Sequence, residues 1–272
     1  MFASYHNHST WSDGKASIRE MAQAAREAGL REFGISDHFV YGPPEVQEDA
    51  NTWTMPVENL RAYIEDASAV KAEFDCDEFH FRIGAEVDYF DETWETVNQY
   101  IASMPLDYVI GAVHYSRAFP IDKSADLWRA LAPEERDDVW REYLRKLKLC
   151  VERMPCNFLA HPDLPKIFAV GKMPEDCRDE FHTLFTMCAE RNVAIEINTA
   201  GLDKLCAELY PARELLEDAV KLGVGILVGG DAHCTAQVVR HFDDAYALLK
   251  TLGVTRTCGF DLRQRHYTIL NS

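Results

Sequence analysis

Gly225-Ile226-Leu227-Val228-Gly229-Gly230-Asp231-Ala232-His233 sets a short aliphatic run between glycines and follows it with two metal-capable side chains. A run this short, bounded by turn residues, reads as a buried strand rather than a helix. On an extended chain, residues two apart point to the same face, so Asp231 and His233 present their side chains together just past the strand end.

The same unit recurs outward from this stretch. Upstream lie strands at 193–197 and 157–160, separated by a helix over about 174–191, with another helix at about 211–222 between strand 193–197 and the starting run. Farther back come a helix at about 134–153, a strand at about 107–113, a helix near 92–102, a strand at about 80–88 and a helix at about 57–73. Glu32 to His38 reads as a strand, preceded by a helix with Ile18, Met21, Ala22 and Ala25 on one face and Gly29 at its C-cap. Asp122 to Ala132 reads as a loop. Downstream, a last helix covers about 236–251, and the tail at about 257–270 is expected to add a closing strand. Seven strand-plus-helix units define the expectation: one α/β domain over residues 1–272, a distorted TIM-like (β/α)7 barrel.

On this map the candidate ligands fall at or just after strand C-termini. His6 and His8 follow the first strand, His38 the second, Glu86 the third, His114 the fourth, His161 the fifth, and Asp231 and His233 the seventh. Catalytic loops of parallel (β/α) barrels gather at that end. With Asp13, six imidazoles and three carboxylates supply mixed nitrogen and oxygen donors suited to zinc, iron or manganese. Nine donors exceed the four that one zinc needs, so two or three divalent ions are expected, with the two oxygens of Glu86 able to bridge. His80, His182, His241 and His266 lie elsewhere and read as structural or surface residues.

Composition narrows the function. The formal net charge of -17 opposes binding along a long nucleic acid, whereas a small phosphorylated ligand in a cation-lined pocket remains compatible. No apolar run approaches the ~20 residues of a membrane span. The start, Met1 to His6, lacks a basic segment followed by an apolar one, and a cytoplasmic protein is expected. The eight cysteines form no C-x-x-C pair and read as reduced thiols, with Cys234 a packed small residue.

These residues resemble the PHP (polymerase and histidinol phosphatase) superfamily, and within it the histidinol-phosphate phosphatases. The resemblance spans nearly the whole chain and rests on His6-Asn7-His8, Ser12-Asp13-Gly14, Ser36-Asp37-His38, Gly84-Ala85-Glu86, Gly111-Ala112-Val113-His114, Ala160-His161-Pro162-Asp163 and Gly230-Asp231-Ala232-His233. It implies one metal held by His6, His8, Glu86 and Asp231, a second by Glu86, His114 and His161, and a third by Asp13, His38 and His233. Glu196 to Leu202, Tyr210-Pro211 and His161 to Lys166 are similar to the histidinol-phosphatase branch. That branch usually carries a basic residue directly after Gly-Leu, where this chain has Asp203 followed by Lys204.

The implied reaction is hydrolysis of a small phosphomonoester, L-histidinol phosphate or a similar compound, by a hydroxide held between metal ions. Coordination lowers the pKa of water from 15.7 to about 7, so no side-chain nucleophile is required. Beside Glu86, the expected catalytic residues are Arg117, whose guanidinium fork matches phosphate oxygens, and Asp163, next to a ligand. Asp163 and Asp37 are each candidates to donate a proton or orient an imidazole. Arg117, Lys204 and Asn198 are the expected substrate contacts. Competing readings are a phosphodiesterase or nucleotidase on the same fold, a metal-dependent amidohydrolase, which also carries H-x-H after its first strand, and a non-catalytic module.

Overall fold

The structure, a computed structural model, describes residues 3–270. Seven parallel strands form the barrel: Ala3–Ser4, Glu32–Ile35 continued by His38–Phe39, His80–Ile83 continued by Glu86–Asp88, Ile110–Ala112, Phe158–Leu159, Ala194–Asn198 and Ile226–Gly229. The second and third strands are broken. Their lower halves form a three-stranded sheet with the first strand, in which Glu32–Ile35 lies between Ala3–Ser4 and His80–Ile83, and their upper halves join a six-stranded sheet reaching Ile226–Gly229. A parallel bridge between Asn7 and Ala232, with the His8 amide donating to the Ala232 carbonyl at 2.8 Å, joins the first strand to the seventh.

Tyr108 accounts for the breaks. It is fully buried, and a Cβ on Gly34 or Gly84 would collide with its ring, so both strands must carry glycine where they pass it. Its hydroxyl lies 2.6 Å from the Tyr5 carbonyl and 2.9 Å from the Ile35 carbonyl, which also accepts from the Gly84 amide at 2.8 Å, so the phenol ties the first strand to the point where the second and third break. Just beyond the breaks, the register sets His38 beside Glu86.

Helices cover the outside for ordinary reasons. Ile18–Glu27 begins at a capping box, in which Ser17 accepts from the Glu20 amide and Glu20 accepts from the Ser17 amide, and it buries Ile18, Met21, Ala22 and Ala25. Pro133–Arg153 carries proline in its first turn and turns Trp140, Leu144, Leu147 and Val151 inward. Burying each large aliphatic or aromatic side chain contributes roughly 1.5–3 kcal/mol before entropy.

Two expectations need correction. Residues 122–132 contain a helix, Ala125–Ala130, started by the Ser124 hydroxyl accepting from the Leu127 amide. Pro44–Ala50, outside the expected elements, adds a further short helix without a side-chain cap. The tail adds no barrel strand but folds back as an antiparallel hairpin, Arg256–Asp261 with Gln264–Ile269. Phe260 packs with Tyr5, Tyr108 and Phe158, and its amide donates to the Tyr5 hydroxyl, so the hairpin seals the N-terminal mouth of the barrel. No helix among the described residues is long and apolar enough to cross a membrane.

Candidate metal centre

The opposite mouth gathers all nine expected ligands. Their donor atoms form four overlapping groups: His8, Asp13, His38 and His233; His6, His8 and Asp231; His6, Glu86 and His161; and His38, Glu86 and His114. Glu86, fully buried, stands at the centre. Its Oε2 lies 3.1 Å from His6 Nε2 and 2.8 Å from His38 Nδ1, while its Oε1 lies 3.1 Å from His161 Nε2 and 3.7 Å from His114 Nε2. Asp231 Oδ1 faces His8 Nε2 at 3.2 Å, and Asp13 Oδ2 faces His233 Nε2 at 3.2 Å. The grouping differs from the implied one in detail, because His38 reaches both Glu86 and Asp13 and His8 belongs to two groups.

Alternation places the first pair. His6 and His8 point into the mouth, while Asn7 between them donates to the Gly34 carbonyl at 2.8 Å and locks the first strand to the second. Asp37 points away from the imidazoles. It accepts from the amides and hydroxyls of Ser9 and Ser12 and thereby shapes the loop that delivers Asp13. Burial raises its pKa in spite of those bonds.

Metal ions fit this donor set. His6 Nε2, both nitrogens of His8, His38 Nδ1 and Glu86 Oε2 are buried without hydrogen-bond partners among the described residues, a costly arrangement unless a cation fills the space between them. Carboxylates back two of the rings. Glu196 sets both oxygens 3.0 Å from His6 Nδ1, and Asp88 lies 2.6 Å from His114 Nδ1; each favours the tautomer that leaves Nε2 free toward the cluster. Burial, with His38 and His233 nearby, pushes His8 down to about 3, so it is neutral as a ligand must be. Burial acts the same way on His114, but the Asp88 and Glu86 charges outweigh it and hold that ring up to about 10. Glu86 and Asp231 are held well below the usual carboxylate range because the surrounding imidazoles outweigh their burial.

The cluster floors a cavity of about 460 Å³, within the range of small-ligand sites. Lys15, Lys123, Lys204 and Arg240 supply cations on its walls, and Trp53, Leu164, Ile167 and Tyr210 supply apolar surface. Lys123 is paired with Asp49.

The remaining expected residues part company here. Lys204 lines the cavity. Asn198 is buried, and its amide nitrogen donates to Glu196 and Asp231, so it holds two carboxylates in place. Arg117 does not reach the site. It sits exposed at φ 54° in the turn between Tyr115–Ser116 and Phe119–Pro120 and borders a separate cleft. Asp163 is not among the cavity-lining residues either; it is buried, accepts from the Ala212 amide and pairs with Lys166 at 2.9 Å. The sequence reading missed Glu196, Asp88 and Arg240. The inward-facing alternation of Glu196 in its strand was the one available signal.

Comparison with known proteins agrees with this geometry. Residues 4–200 match the PHP domain family. The chain belongs to the PHP family. A protein of Deinococcus radiodurans described as a probable histidinol-phosphatase is 34% identical over 237 residues, covering 86% of this chain and 87% of that one. A Thermotoga maritima protein of the same description is 27% identical over 248 residues, with 90% of each chain covered. The crystal structure of a Lactococcus lactis histidinol phosphate phosphatase, complexed with zinc, L-histidinol and phosphate, superposes with a TM-score of 0.80 at 24% identity, covering 97% of this chain and 98% of that one. That likeness shows the distorted PHP barrel.

Proposed function

We propose that this PHP protein is a metal-dependent phosphatase that hydrolyses a small phosphomonoester, L-histidinol phosphate or a close analogue, and so serves histidine biosynthesis in the cytoplasm. The observation that carries the reading is Glu86, whose two oxygens divide between His6, His8 and His38 on one side and His114 and His161 on the other, beneath a cation-walled cavity. The nine converging residues would hold two or three divalent ions, zinc, iron or manganese. Bound there, such ions supply a water of lowered pKa and neutralise phosphoryl charge.

The chain's own side chains do the rest. Lys15 and Lys204 offer positive charge to the phosphate from the wall; Lys204 is an expected contact, and Lys15 takes the place expected of Arg117. Trp53 and Tyr210 give an organic leaving group apolar faces, and burial of the floor keeps bulk water from the ligand imidazoles. The size of the cavity suits a small ester. All eight cysteines are free thiols, in keeping with a reducing compartment.

Phosphate release from L-histidinol phosphate, from unrelated phosphomonoesters and from mononucleotides, beside cleavage of phosphodiesters, each with zinc, iron or manganese, tests the reading. Faster turnover of histidinol phosphate is expected. Cleavage of phosphodiesters alone, or no phosphate release with any metal, would overturn it.

A further inference from the structure

Asp231 presents its carboxylate from a backbone conformation that residues other than glycine adopt rarely, with φ at 48°. Arg240 holds that turn from beneath. Its Nε donates to the Gly230 carbonyl at 2.8 Å and its Nη2 to the Asp231 carbonyl at 2.8 Å, so one planar guanidinium grips two consecutive peptide groups. A lysine has a single nitrogen and cannot reproduce that fork. Arg240 is itself anchored twice: its carbonyl accepts from the Thr199 hydroxyl at 2.7 Å, and its Nη1 lies 3.3 Å from Asp203 Oδ2. The other oxygen of Asp203 lies 2.8 Å from His241 Nε2, so this half-exposed carboxylate ties down two consecutive side chains ahead of helix Phe242–Thr251.

We propose that Asp203 and Arg240 form a positioning relay for the Asp231 ligand, in which Asp203 orients the guanidinium and the guanidinium fixes the left-handed turn that aims the carboxylate. Asn198 completes the aim from the side-chain end, donating to Asp231 Oδ2 at 3.3 Å and leaving Oδ1 toward His8 and His6. The relay gives the departure at Asp203 a use, since an acidic residue there meets a guanidinium supplied from residue 240. The inference rests on the metal reading only where it makes Asp231 a ligand; the grip on the turn does not depend on it.

Two measurements on R240M, R240K, D203A and the double variant D203A/R240M test the relay. One is deuterium uptake of the segment spanning residues 229–234 in chelator-stripped protein, which reads the turn without metal. The other is zinc affinity by competition against a chelator. R240M is expected to speed exchange across 229–234 and to weaken zinc binding by about 10–100-fold, the usual effect of removing a residue that orients a ligand. R240K should recover only part of either effect. D203A, at an exposed position that folding tolerates, is expected to weaken zinc binding by roughly threefold when Arg240 is present and to have no effect in the R240M background. Unchanged exchange in R240M, or a D203A effect that persists undiminished without Arg240, would overturn the relay. Wild-type protein that takes up no zinc, iron or manganese would instead overturn the ligand role of Asp231 and the metal reading with it.

Discussion

Glu196→Gln changes one atom of a fully buried side chain and should nevertheless disable His6, an expected metal ligand that it does not replace. Glu196 Oε1 already accepts from the His161 amide at 2.9 Å and from Asn198 Nδ2 at 2.8 Å, and both oxygens lie 3.0 Å from His6 Nδ1. The glutamine oxygen must occupy the Oε1 position, because two donors converge there. With both lone pairs of that oxygen taken by the His161 and Asn198 donors, the NH2 group at the Oε2 position, 3.0 Å from His6 Nδ1, donates to this nitrogen, which moves the imidazole proton to Nε2, the nitrogen aimed at Glu86 and Asp231. A protonated Nε2 cannot bind a cation. Replacing residues that orient ligands costs 10–100-fold in metal affinity, or about 1.4–2.7 kcal/mol. Chelator competition with metal content measured on the same preparation reads the affinity, and nitrogen NMR of the His6 ring reads the tautomer. Weakened binding with Nε2 protonated is the expected result. Wild-type affinity in a correctly folded Glu196→Gln protein would refute the argument that this carboxylate sets the His6 tautomer. Gly229→Ala should act on the same contact, since the added Cβ would collide with Glu196 Oε2 and push it off the ring.

Arg117→Ala should leave phosphatase activity within about twofold of wild type in steady-state assays, because its side chain is exposed and borders a different cleft. Tyr108→Phe should lower unfolding stability by about 1–3 kcal/mol in urea titrations, because it strips a hydroxyl from the buried carbonyls of Tyr5 and Ile35. Glu32 is pushed up by burial, but the bonds from His266 and Tyr5 and the Arg82 charge prevail and hold its pKa below the ordinary value of 4.5. Its contribution is therefore present above pH 4.5 and lost as pH falls through the lowered folded value. Glu32→Gln should cost about 1–3 kcal/mol at pH 7, with the gap to wild type closing as the medium is acidified below 4.5; a gap independent of pH would refute the assignment.

Much of the centre was legible in the chain because two regular signals carry it. Strand alternation puts His6 with His8 and Asp231 with His233, and the parallel barrel brings successive strand ends to one mouth. Those two rules place every expected ligand from a strand end without any knowledge of contacts. Asp13 was the exception, since its loop takes its shape from Asp37, Ser9 and Ser12. Arg117 shows where the rules stop. It follows the expected ligand His114 by three residues, but a tight turn at φ 54° intervenes, and beyond a reversal the period of two no longer predicts direction.

The sequence by itself determined the seven-unit barrel, the mixed imidazole and carboxylate donor set, and the face on which it gathers, because each follows from local periodicity and residue chemistry. Only the tertiary structure decided which carboxylate backs which imidazole, which guanidinium grips the Asp231 turn, and which strand closes the barrel. Glu196 meets His6 across 190 positions, and Arg240 grips a turn nine residues back by folding against it. Such pairings depend on barrel closure and on buried polar groups finding partners in three dimensions, a constraint that leaves no period in the chain.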